Sequence, residues 1–153
     1  MEDQLIETWQ IHNRINLYLL DSIKPEALSD ISASKGRTVA EQFAHLHNVR
    51  LMWLKSAAPE LLDGLEKIEK ETAADSSLLR AALEASGKAM ETLLAKGFAA
   101  GKIKGFKPHA TAFLGYIISH ESHHRGQIVL TLKQSGHPVD RKTAFGLWEW
   151  GTR

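Results

Sequence analysis

Phe113-Leu-Gly-Tyr-Ile-Ile-Ser-His120-Glu-Ser-His-His124-Arg-Gly-Gln127-Ile128 lies between Pro108 and Gly136-His137-Pro138. Phe113, Leu114, Ile117, Ile118, Ile128 and Leu132 recur at helical spacing and give this segment a wide apolar face. Pro108 suits a first helical turn, where a missing amide proton costs nothing, and Gly136 followed by Pro138 is a strong stop. The spacing therefore predicts one long helix, from about Pro108 to Gly136, with two histidines one turn apart near its middle.

Three more helices precede it. Leu5, Ile6, Trp9, Ile15, Leu19 and Leu20 mark the first, which Pro25 and the Ser- and Gly-containing sequence to Gly36 bring to an end. Thr38-Val39-Ala40-Glu41 has the spacing of a capping box, so a second helix should start there, with Val39, Leu46, Val49 and Trp53 on its apolar face and Pro59 beyond its end. Residues 60–75 are acidic and hold one or two short helical turns at most. Leu78, Leu79, Ala82, Leu83, Met90, Leu93 and Leu94 form the third helix, ending near Gly97 or Gly101 and slightly weakened by Gly87. Helical segments, Pro/Gly breaks and the absence of alternating apolar runs predict an all-α fold: an antiparallel four-helix bundle with long connections, in one domain over 1–153. The closing aromatic tail, Phe145 to Trp150, is expected to pack over the bundle.

Composition narrows the function. Nineteen Lys+Arg against eighteen Asp+Glu leave a net charge of +1, so neither a phosphate backbone nor an anionic membrane is an expected partner. No stretch is apolar for long enough to span a bilayer, and Met1-Glu2-Asp3-Gln4 has no signal-peptide character, so a cytoplasmic setting is expected. With no cysteine, any metal site must be built from histidine, carboxylate and water. Glycine-rich phosphate loops and nucleophile elbows are absent.

The informative residues are histidines. His120 and His124 share one helical face, within reach of one ion, and an apolar stripe that turns into two imidazoles needs a partner for them. The bland alternative is a pair of satisfied or exposed histidines. The same residues spell His-Glu-x-x-His, the zincin protease signature, in which Glu121 would polarise water. That reading wants a further ligand, for which only His137 or Glu149 is available, and a substrate-aligning sheet. On the second helix His45 and His47 lie about 200° apart and cannot both face one site. His45 borders the Val49–Trp53 side and is the better third ligand; its alternative is a flank histidine bonded to a neighbouring helix.

Ala44-His45-Leu46 ahead of Trp53-Leu54, the segment His120-Glu-Ser-His-His124-Arg-Gly-Gln127 and the closing Trp148-Glu-Trp150-Gly together resemble the DinB/YfiT-like metalloenzyme family over nearly the whole chain. The resemblance implies a four-helix bundle with a long crossover, frequently a homodimer, and one divalent ion, zinc or nickel, held by His45, His120 and His124. Characterised relatives of this kind include S-transferases that use bacillithiol and isomerases that use mycothiol, so a low-molecular-weight thiol is an implied cofactor. DNA contact is not implied.

Three protein ligands leave a position open for water or a substrate atom, as in catalytic sites. The expected function is thiol transfer or hydrolysis on a small molecule. Glu121 and Gln127 are the candidate catalytic residues, Glu121 as a base if it bends toward the metal mouth and Gln127 as an orienting group. Gln42 shares the His45 side; His12 is a candidate pocket residue, Arg125 a candidate partner for a carboxylate, and Trp148 and Trp150 candidates for the pocket rim. The opposing class is a noncatalytic bundle that dimerises or binds a partner through its helical faces.

Overall fold

The structure, a computed structural model, describes all residues from Met1 to Arg153. Four long helices, α1 (Glu2–Asp21), α2 (Val39–Ala57), α3 (Ser76–Ala100) and α4 (Ala110–Gln134), are followed by the short α5 (Arg141–Gly146). The acidic connection contains two 3₁₀ turns, Pro59–Leu62 and Lys70–Thr72. No helix is long and apolar enough to cross a membrane.

Local chemistry sets the boundaries. Thr38 caps α2, its Oγ1 accepting from the Glu41 amide at 3.1 Å, and Asp75 caps α3 in the same way. The return bond of the predicted capping box is not made; the Glu41 side chain lines an opening beside His45 instead. Gly101 ends α3 in the left-handed region at φ 78°, so of the two glycines expected there it is the second that stops the helix. The start of α4 falls later than expected. His109 is its cap, with Nδ1 accepting from the Ala112 amide at 3.1 Å, and Pro108 stands just outside the helix.

Helix α1 packs against α3 and α4, and α2 against the same two helices from the other side. Cross-links give their directions. Trp9 reaches Gly87 while Asp21 reaches Arg80, so α1 and α3 are antiparallel; Arg50 reaches Leu83 while Glu60 reaches Lys96, so α2 and α3 run in the same sense. Two parallel neighbours joined in sequence require a long crossover, which residues 58–75 supply. Gly87 earns its place at the α1–α3 crossing. Trp9 Nε1 donates to its carbonyl at 2.9 Å, and a Cβ there would run into the Asn13 amide.

The core falls into two hydrophobic clusters. One gathers Ile15, Leu19, Phe43, Leu46, Leu79, Leu83 and Ile128; the other gathers Trp9, Leu54, Met90, Leu94, Phe113 and Ile117. Between them lies a layer of buried polar side chains from all four long helices: His12, Asn16, Arg50, Ser86 and Glu121. This layer corrects the face expected for α2. Its buried side runs through Phe43, Leu46, His47, Arg50 and Leu54, while Val49 and Trp53 are only half-buried. Two polar residues in the core register concealed the true centre of the stripe.

The tail divides. Leu147 is buried and Trp150 packs partly on the larger cluster, whereas Phe145 and Trp148 are 60% and 78% exposed. Neither Trp148 nor Trp150 lines the opening beside His45, contrary to the expectation of an aromatic rim.

Candidate metal centre

Antiparallel packing of α2 on α4 brings His45 opposite His120 and His124. One nitrogen from each ring lies within 4.8 Å of the others, and ring centroids are 4.5 Å apart for His45–His124, 4.7 Å for His120–His124 and 5.5 Å for His45–His120. All three predicted ligands are thus brought together. His47 is not: its Nε2 donates to the Glu66 carbonyl at 2.7 Å and pins the crossover, where the Asn48 side chain also pairs with both backbone groups of Ile68. The competition between His45 and His47 is decided by which side of α2 meets the loop and which meets α4.

The residues fit a divalent ion. The Nδ1 of His120 is buried without a hydrogen-bond partner, a costly arrangement unless something else occupies the ring. His124 Nδ1 donates to Gln42 Oε1 at 2.8 Å and to Gln127 Oε1 at 3.1 Å, and Gln42 Nε2 donates to Gln127 Oε1 at 3.3 Å. Two amides therefore hold the proton of His124 on Nδ1 and leave Nε2 as a free lone pair, the usual outer-shell support of a metal-ligating histidine. Burial, with the neighbouring His45, His120, His123 and Arg37, pushes His124 down to about 4. Burial also lowers His45 and His120, in each case with the Arg37 charge adding to it. Near neutral pH the cluster presents uncharged imidazoles, the form that binds metal.

Beside His45 an opening of about 380 Å³ is lined by Arg37, Glu41, Asn48, Lys67 and Lys70 among others. It is polar and gives the cluster a route to solvent.

Glu121 departs from its expected role. It is fully buried, one residue from His120 yet turned toward the polar layer, where Arg50 Nε and Nη2 donate to its two oxygens at 2.8 and 2.7 Å. His12 Nε2 and Asn16 Nδ2 approach Oε1 at 3.1 and 3.0 Å. Burial alone would raise this carboxyl; the Arg50 charge and hydrogen bonds outweigh it and hold the group well below the usual carboxylate range. A carboxylate so fully engaged is neither a base at the metal mouth nor a surface residue, and the zincin reading loses both its base and its sheet. His12 is likewise a member of this layer and not of the histidine cluster. Arg125 donates to Asn16 Oδ1 at 2.7 Å and to Ser122 Oγ at 3.1 Å, bonding no carboxylate directly. Arg50 and Asn16 were missed in the sequence. The available signal was a pair of opposite charges in apolar register, Arg50 four residues after Leu46 and Glu121 four after Ile117.

A sequence profile described as the DinB family matches residues 1–150. Among solved structures the chain is similar to a DinB-like protein from Bacillus cereus ATCC 10987, at 20% identity and a TM-score of 0.70, over 90% of this chain and 95% of that one. No curated protein matches.

Proposed function

This chain belongs to the DinB family, and from that premise we propose that it is a metal-dependent enzyme acting on a small molecule by thiol transfer or hydrolysis at His45, His120 and His124. The observation that carries the proposal is the convergence of three neutral imidazoles within 4.8 Å, one of them fixed by two glutamines. When bound, a divalent ion, zinc or nickel first, supplies a Lewis acid that stabilises the deprotonated form of a thiol or of water.

The chain's own residues do the rest. The three histidines supply three ligands and leave a position for substrate. Gln42 and Gln127 orient His124, which makes Gln127 a positioning group rather than a proton carrier. Arg37, Lys67 and Lys70 with Glu41 form the polar walls through which substrate reaches His45. A chain without cysteine takes any thiol from solution. Cytoplasmic placement and freedom from nucleic acid belong to the same proposal, supported by the near-neutral charge. So does homodimer formation, for which the exposed Phe145 and Trp148 offer apolar surface.

The test is turnover by metal-loaded protein of thiol–electrophile pairs and, separately, of esters and amides. Activity with either class that is lost in His124→Ala supports the reading. Full metal occupancy in that variant contradicts the ligand set.

A further inference from the structure

Arg50 is the one side chain that ties all four long helices together. From α2 its guanidinium reaches Asn13 Oδ1 on α1 at 2.9 Å, the Leu83 carbonyl and Ser86 Oγ on α3 at 3.0 and 3.2 Å, and both oxygens of Glu121 on α4. Glu121 completes the circle by accepting from His12 and Asn16 of α1. Both charged side chains are 0% exposed. An apolar layer tolerates small slides of one helix past another, but a bidentate guanidinium–carboxylate pair has one geometry. Glu121 immediately follows His120 and precedes His124 by three residues, and Arg50 lies five residues beyond His45 on the same helix. The pair therefore locks the register of the two helices that carry the histidines. A slide of α4 on α2 that separated His45 from His120 and His124 would also break the Arg50–Glu121 pair.

We infer that Arg50 and Glu121 are positioning residues for the metal centre, holding His45 against His120 and His124 before any ion arrives. Buried ion pairs are weak stabilisers compared with apolar residues of similar volume, and registry is the role best attested for them. The inference rests on the proposed metal reading, and the experiment separates the two.

Wild type, Glu121→Gln and the double variant Arg50→Met/Glu121→Met are titrated with cobalt(II) and zinc, recording the visible cobalt spectrum and the zinc dissociation constant by chelator competition. Leu94→Ala, a buried residue of the second cluster, serves as a control for simple destabilisation. The inference predicts folded variants whose zinc affinity falls about tenfold or more, with an altered cobalt spectrum, while Leu94→Ala melts at lower temperature and keeps the wild-type spectrum and affinity. Folded Glu121 variants with wild-type affinity and spectrum would overturn it and leave the metal reading standing. Loss of fold in both Glu121 variants would also overturn it, since the pair would then be needed for folding itself. A wild type that takes up neither ion overturns both the inference and the metal reading.

Discussion

Two clusters of polar side chains sit between α2 and α4, and they differ in what they leave unspent. In the interior layer every oxygen of Glu121 has a donor, and Arg50 uses all three of its nitrogens on protein acceptors. At the histidine cluster only Nδ1 of His124 is engaged, and His120 keeps a buried nitrogen with no partner. His120 and Glu121 are neighbours in the chain, yet one belongs to each. The first cluster is saturated by the protein and has nothing to offer a ligand; the second is supported on one side only and opens beside His45. An unmet valence points to a ligand only where other donors converge on it, for His47 Nδ1 is also buried without a partner yet stands apart from the cluster.

The sharpest way to break the contrast is Arg50→Ala. It strands the fully buried Glu121 carboxylate, and unfolding should cost about 3–5 kcal/mol less than in wild type, measured by urea titration. Next in size is Gln42→Ala, which removes one of the two acceptors for His124 Nδ1. Zinc affinity should fall about 10–100-fold by chelator competition, with little change in the melting temperature of the metal-free protein.

Acid reaches the buried histidines before it reaches Glu121. His124, lowered to about 4 by burial first and its charged neighbours next, takes up its proton in the unfolded chain before it does so in the folded one. Stability of the metal-free protein should thus fall as pH drops from about 6.5 toward 4, with His45 and His120 of the cluster, and the buried His12 and His47 outside it, acting in the same direction. Glu121, whose folded pKa lies below its unfolded value of about 4.3, adds its loss only below that pH. Melting curves at half-unit steps from pH 8 to 3.5 check the order; a flat profile from 6.5 to 4.5 would contradict the placement of the histidines. Smaller still, Thr38→Ala removes the cap of α2 and should cost about 1 kcal/mol by the same urea titration.

What the chain disclosed in advance follows the range of the forces involved. Thr38 punctuates a helix through its hydroxyl and Gly136 through its left-handed backbone, so those boundaries are legible locally. His120 and His124 are fixed on one face by helical geometry, and of two histidines about 200° apart only one can join them; the spacing favours His45 because it borders Val49 and Trp53, a side of α2 that is only half-buried yet does face α4. The misreadings all depend on distant partners. Arg50 is a core residue only because Glu121 meets it, and without that pairing the α2 stripe appeared to run through Val49 and Trp53. Glu121 looked available because its motif neighbours are the histidines of the cluster, while its partners come from helices about 70 and 110 residues away in sequence. Trp148 faces outward and Leu147 inward because of how α5 docks, which periodicity over so short a segment does not encode.

The central claim is that the open cluster holds a metal and the saturated one does not. Metal content by mass spectrometry, on untagged protein purified without added metal or chelator, tests it most directly. The account predicts about one divalent ion per chain, lost in each of His45→Ala, His120→Ala and His124→Ala and kept in His12→Ala and His47→Ala. No bound ion, together with no tight uptake of zinc or nickel on titration, would contradict it and favour a noncatalytic bundle that works through a protein partner.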